Sequence, residues 1–132
     1  MRASPEAAVR AAFDAFGAAL DAGDVDEALA WCTDDVVFIG SGEGEEAVGH
    51  DAFPAMLAAL APHLDNLQFT LIWNSIDIDV LGDVALVAAW GEAELVTSTR
   101  NDRMRYRLTG VLVQSGDRWL WRVHHGSEPT AW

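Results

Sequence analysis

The residues best equipped for chemistry lie in the second half of the chain. His124 and His125 follow the run Trp119-Leu120-Trp121-Arg122-Val123. Histidine titrates near neutral pH and can donate or accept a hydrogen bond, so either is a candidate acid, base or ligand contact. Adjacent strand residues point apart, so the two do not form a same-face metal pair. Glu92 and Glu94 share one strand face with Leu86, Ala88 and Trp90. Two carboxylates on an otherwise apolar face suit general acid–base work. The same residues equally suit cross-strand pairing with Arg103, Arg105 or Arg107, which is ordinary sheet stabilisation. Those Arg, with Arg100, make the last third locally basic, and a guanidinium fork suits a carboxylate-bearing ligand. Pairing with acidic neighbours is the alternative.

Other residues carry less. The single cysteine, Cys32, excludes an internal disulfide and a cysteine-based zinc site. It falls in an apolar helical stretch and reads as a buried, inert thiol. The segment GSGEGEEAVG, residues 40–49, lacks the Lys of a phosphate-binding loop, and its three Glu would repel phosphate. It reads as a mobile rim loop. His50 and His63 flank a helix and read as surface or capping residues. No metal site and no cofactor are expected, and no Ser-His-Asp set follows from spacing alone.

These residues need elements to position them. Ser4-Pro5-Glu6 is a good helix start, and Val9, Ala12, Phe13, Phe16, Ala19 and Leu20 recur at helical spacing until Gly23. Asp24 can cap a second, short helix through Cys32. Val36–Ile39 reads as a buried strand. Asp51 can cap a third helix with Phe53, Met56, Leu57 and Leu60 on its apolar face, ended by Pro62. Beyond Leu67 the pattern is β, with strands over about 67–80, 84–97, 103–114 and 118–126. Gly82-Asp83 and Ser115-Gly116-Asp117 are hairpin turns, and residues 98–102 form a longer polar turn. Helices followed by a long meander predict one α+β domain over 1–132: three helices packed on a curved, mainly antiparallel sheet, forming a cone with an internal pocket.

The segment from Gly116 to Ser127, GDRWLWRVHHGS, resembles the last strand of SnoaL-like proteins of the nuclear transport factor 2-like superfamily. The pieces AFGAALDAGDVDEALAWCTDDVVFIGSGEG and GDVALVAAWGEAEL are similar to that family's opening helices, first strand and central hairpin. The resemblance spans nearly the whole chain. It implies the cystatin-like cone. It also implies a functional His on the last strand: His125 and Ser127 match the family pattern, Val123 stands where the first His usually falls, and His124 is an extra on the opposite face. The family's isomerases carry an Asp base shortly after the first strand begins. Asp34 and Asp35 match the acidic pair before that strand, but no acid stands near Ile39-Gly40. Glu43 or Glu45 would replace it only if the loop folded inward.

Composition limits the functions. The net charge of −13 argues against nucleic acid and against anionic membranes. No apolar run reaches the roughly 18 residues of a membrane span, and no signal pattern opens the chain, so the expected location is cytoplasmic. On the fourth strand, Arg107, Thr109, Val111 and Val113 share one face, and Met104, Tyr106, Leu108 and Leu112 the other. Both faces turn apolar, so the face without helices predicts a homodimer through the sheet. Trp73, Trp90, Trp119 and Trp121 divide between pocket and interface.

Three functions follow. The first is a domain binding a small apolar or carboxylate-bearing ligand, with Trp73, Trp90, Tyr106, Arg107 and Ser127 around it. The second is an enzyme of the polyketide cyclase, ketosteroid isomerase or dehydratase type, with His125 or Glu92 as base and Arg107 or Tyr106 stabilising charge. The third is a non-catalytic dimerisation module. A filled cone favours the third. An open cavity with a buried His or carboxylate of shifted pKa favours the second, and an open cavity without one favours the first.

Overall fold

The first helix, α1 (Pro5–Asp21), is set by its ends and its stripe. Ser4 Oγ accepts from the Ala7 N–H at 3.2 Å, and Pro5 occupies the first turn, where its missing N–H costs nothing. Its buried face is Val9, Ala12, Phe13, Phe16 and Ala19. Helix α2 (Val25–Ala30) is capped by Asp24, which accepts from Glu27 N–H at 3.1 Å. It ends before Cys32, because the Trp31 carbonyl accepts from the Trp121 N–H at 2.8 Å and draws the chain into the sheet. Cys32 therefore opens strand β1 (Cys32–Ile39), and does not lie on a helix. The computed structural model describes residues 4–64 and 68–131, with side chains described up to Leu60 in α3.

Strand β2 (Glu46–Val48) follows, within the stretch expected to be all loop, and helix α3 (Ala52–Leu64) after it. The α3 backbone continues two residues past Pro62. A proline so close to a helix end removes only one backbone hydrogen bond. The side chain of His63 lies outside the described residues.

Four long strands complete the chain: β3 (Gln68–Leu81), β4 (Val84–Val96), β5 (Asn101–Ser115) and β6 (Arg118–Ser127). The sheet order is β2-β1-β6-β5-β4-β3, antiparallel except for the β1–β6 pair. Two-residue loops, Gly82-Asp83 and Gly116-Asp117, join the hairpins, and both Gly have positive φ, 66° and 59°. Such a turn needs that left-handed first residue to match the strands' twist.

The helices cover one face of the curved sheet, as expected for an α+β cone. Near the two tight hairpins the cone is filled by Val9, Phe13, Ala85, Val87, Leu112, Trp119 and Trp121. A second cluster, Ala47, Phe53 and Met56 with Phe38 and Leu60, lines the opposite end. No helix among the described residues is long and apolar enough to cross a membrane.

Two bulges decide which side chains enter the cone. On β6, Trp121 is opposite Leu112 and Val123 is opposite Val111, leaving Arg122 as an extra residue. On β3, Trp73 is opposite Gly91 and Ser75 is opposite Trp90, leaving Asn74 extra. An extra residue reverses the alternation beyond it. Along β6 the inward residues are Trp119 and Trp121, then His124 and Gly126.

Candidate functional site

The open end of the cone holds a cavity of about 920 Å³. Its walls come from α1 (Phe13, Phe16, Leu20), α3 (Phe53, Met56, Leu57) and the inward residues of the sheet. Most are apolar, the composition expected of a small-molecule site.

His124 is one of the few polar groups in the lining. It is 6 % exposed and sits in an aromatic box. Its ring stacks on Phe38 at 5.0 Å between centroids and 14° between planes, meets Trp121 edge-on at 4.7 Å, and lies 5.1 Å from Phe16. Nδ1 of His124 and Nε1 of Trp121 are buried with no hydrogen-bond partner among the described residues. Burial pushes the imidazole pKa down to about 3, and the neighbouring His125 adds to the shift. His124 is therefore a neutral imidazole at physiological pH. It can accept or donate a hydrogen bond but is a weak proton acceptor.

Tyr106 is another buried polar residue of the lining. Its ring lies against Phe69 at 5.9 Å and Trp73 at 6.3 Å. Gly126 makes room for it, since a Cβ there would overlap the Tyr106 hydroxyl. Burial pushes its pKa up to about 12, the Ser41 hydroxyl opposes the shift, and the charges of Glu45 and Glu128 reinforce it.

Glu45 comes from the glycine-rich loop, which folds inward. Gly40 N–H donates to the Glu45 carbonyl at 2.7 Å, and Gly42 N–H donates to the Glu45 carboxylate at 3.2 Å. The carboxylate lies over Gly40, where any side chain at that position would project. The loop thus places a half-buried carboxylate beside the end of β1. Asp21, at the end of α1, also lines the cavity, and partial burial raises its pKa.

The structure divides the sequence-predicted residues between two faces. Trp73 and Tyr106 line the cavity. His125, expected at the mouth, is exposed on the outer face, because the bulge at Arg122 turns His124 inward in its place. Ser127, two residues on, follows it outward. Trp90, Arg107 and Ser127 are neighbours in one outer row, with Trp90 opposite Arg107 and Arg107 opposite Ser127. Arg107 therefore cannot clamp a ligand carboxylate inside the cone. Glu92 is also outside: Arg103 reaches Glu94 at 2.9 Å and Glu92 at 3.3 Å, the cross-strand pairing reading of these carboxylates. His50 is structural, its Nε2 lying 3.1 Å from the Cys32 carbonyl. Among the described residues, no three His, Cys, Asp or Glu side chains come together as a metal site.

Sequence reasoning missed His124, Ser41 and Asp21 as cavity residues and held Glu45 only conditionally. A bulge leaves no sure mark in a single sequence. The one hint is that Trp121 and His124, both suited to a pocket wall, are three apart where a regular strand requires an even spacing.

Comparisons with known proteins agree with this geometry. The model of the SnoaL-like domain matches residues 9–131. A candidate dehydratase of the nuclear transport factor 2-like family from Streptomyces avermitilis superposes with a TM-score of 0.80 at 19% identity, over 97% of this chain and all of that one. A Nostoc punctiforme protein of unknown function with a cystatin-like fold gives 0.76 at 15%, covering 99% and 97%. A Catenulispora acidiphila protein in complex with S-DNPA gives 0.76 at 20%, covering 93% and 92%. Among curated proteins, none matches the chain in sequence. At such identities the structures speak for the fold, and the domain match settles the family: this chain belongs to the SnoaL-like domain family.

Proposed function

We propose that the protein binds a small, mainly apolar molecule inside its cone and does so as a homodimer. The observation that carries the binding reading is the open, aromatic-walled cavity with a few converging polar groups: His124, Tyr106, Ser41 and Glu45. A purely structural module would call for a filled cone. The small-molecule complex of the Catenulispora acidiphila protein fits this use of the fold. His124 meets the condition of a buried histidine with a shifted pKa, but the shift removes its basicity, so its part is hydrogen bonding. Titration calorimetry with a panel of two- to four-ring hydrophobic compounds tests the reading. Micromolar binding of at least one, lost in Leu108→Trp, is expected. No binding across the panel would sink it.

The homodimer rests on the outer face. Leu86, Val111, Val123 and Val37 form one register row across four strands, continued by Val48 on β2. Leu86 is 44% and Val48 72% exposed. An aliphatic row of this extent, flanked by Trp90 at 48%, suits a second copy on a two-fold axis. Sedimentation at micromolar concentration should give a dimer, and Leu86→Glu a monomer. A wild-type monomer rejects the interface.

One observation favours a second reading, acid–base catalysis of the isomerase, cyclase or dehydratase type. The Glu45 carboxylate lies at the wall, over Gly40, where a side chain at the end of β1 would project. Exchange of the α-protons of a bound cyclic ketone in D2O, abolished in Glu45→Gln, would support it. Exchange equal to that in buffer would dismiss it.

A further inference from the structure

The charge of the cavity is one-sided. Asp14, Asp21, Glu45 and Glu128 are among its lining residues, and no Arg is among the described ones. The chain contains no Lys. Asp14 is paired with Arg10 at 3.1 Å on the surface of α1, which leaves three carboxylates without a cation beside them in the described lining. The Arg of β5 do not compensate. Strand alternation puts Arg103, Arg105 and Arg107 on the outer face, and Arg103 is committed to Glu92 and Glu94.

Two of these carboxylates share the cavity wall with aromatic side chains. Glu45 and Glu128 lie close enough to act electrostatically on the Tyr106 phenol, and Tyr106 packs against Phe69 and Trp73. Carboxylates and ring faces attract the same kind of group, a cation, and both repel an anion. Deeper in, the cavity wall holds the neutral His124 among Phe16, Phe38 and Trp121, with its buried Nδ1 unpartnered among the described residues. The net charge of −13 adds a field of the same sign over the whole molecule.

We infer that the ligand class is a lipophilic amine, with its ring system against the apolar wall and its ammonium between Glu45 and the rings of Tyr106, Phe69 and Trp73. This inference rests on the binding reading and reverses the expectation of a carboxylate-bearing ligand.

Three probes with one ring system and different head groups test it: 1-naphthylmethylamine, 1-naphthylmethanol and 1-naphthoic acid, titrated at pH 7 by calorimetry. The amine should bind about ten-fold or more tighter than the acid, with the alcohol between them, and the spread should shrink at high salt. Glu45→Gln should cut the amine-to-alcohol ratio by about three-fold or more. Glu43→Gln, on the same loop but outside the lining, should leave the ratio as it is. Circular dichroism of both variants checks that they are folded. If the alcohol binds and the acid binds as well as the amine, the charge inference falls and the cavity reading stands. A ratio unchanged by Glu45→Gln also overturns the inference. If none of the three binds, both fall.

Discussion

The two faces of the sheet are built from alternate residues of the same strands, yet they have opposite chemistry. The inner face of β5 offers Tyr106, Leu108 and Leu112, all buried. The outer face offers Arg103, Arg105 and Arg107 and then Thr109, Val111 and Val113. Inside, the polar groups deepest in the cone, His124 and Tyr106, are buried, and Nδ1 of His124 has no partner among the described residues. Outside, charges pair across strands in water, and an aliphatic row crosses the sheet beside them. Polar residues at the wet face tell little about function, because solvent satisfies them. Polar residues held in the dry face at an energetic cost are the ones that point to a ligand.

The largest expected contrast is between two tryptophans. Trp121→Ala should cost about 3–5 kcal/mol in urea unfolding, since the ring is fully buried against Phe13 and Phe16. Trp90→Ala, measured in dilute protein, should change stability by about 0.5 kcal/mol or less and weaken self-association instead. Equal costs would erase the distinction between the faces.

The adjacent histidines sharpen it. The folded-state pKa of His124, about 3, lies below the unfolded value. Between those values the unfolded chain binds more protons, so stability falls as pH drops through about 6.5 toward 3, at up to about 1.4 kcal/mol per pH unit. Unfolding at pH 6.5 and pH 5 should show this loss in wild type and in His125→Phe, but not in His124→Phe. A loss that disappears with His125 would reverse the assignment of the two faces.

Tyr106 makes a smaller effect at the other end of the scale. Its pKa of about 12 lies above the ordinary value near 10. Its contribution is present below pH 10 and lost as pH rises from there toward 12. Tyr106→Phe should flatten that alkaline decline, and an unchanged decline would place the phenol in water. The smallest effect belongs to the outer charges. Arg103→Ala breaks an exposed pair and should cost about 0–1 kcal/mol, reduced further by salt.

Much of the fold was legible locally. Ser4-Pro5 and the apolar stripe specify α1, Gly-Asp pairs specify the hairpins, and alternation specifies the long strands. The Arg–Glu pairing across residues 97–100 was legible too, because it follows from register alone. The site was less so. Asp24 and the apolar residues after it suggest a helix through Cys32, yet the Trp121 N–H takes the Trp31 carbonyl and converts the last part to strand. Nothing in the local pattern of the rim loop shows that its two backbone hydrogen bonds and the contact of Glu45 with Gly40 turn a carboxylate inward.

The sequence by itself determined the order of the three helices and the long strands, the acidity and the family resemblance, because these depend on local pattern and composition. Only the tertiary structure decided that His124 faces the cavity and His125 the solvent. A single extra residue opposite β5, Arg122, reverses the parity of the strand end that carries them, and that count depends on the partner strand. The same holds for the sign of the pocket. Arg107 and Glu45 are both present in the sequence, and which of them meets a ligand depends on strand parity and on how a loop folds over Gly40.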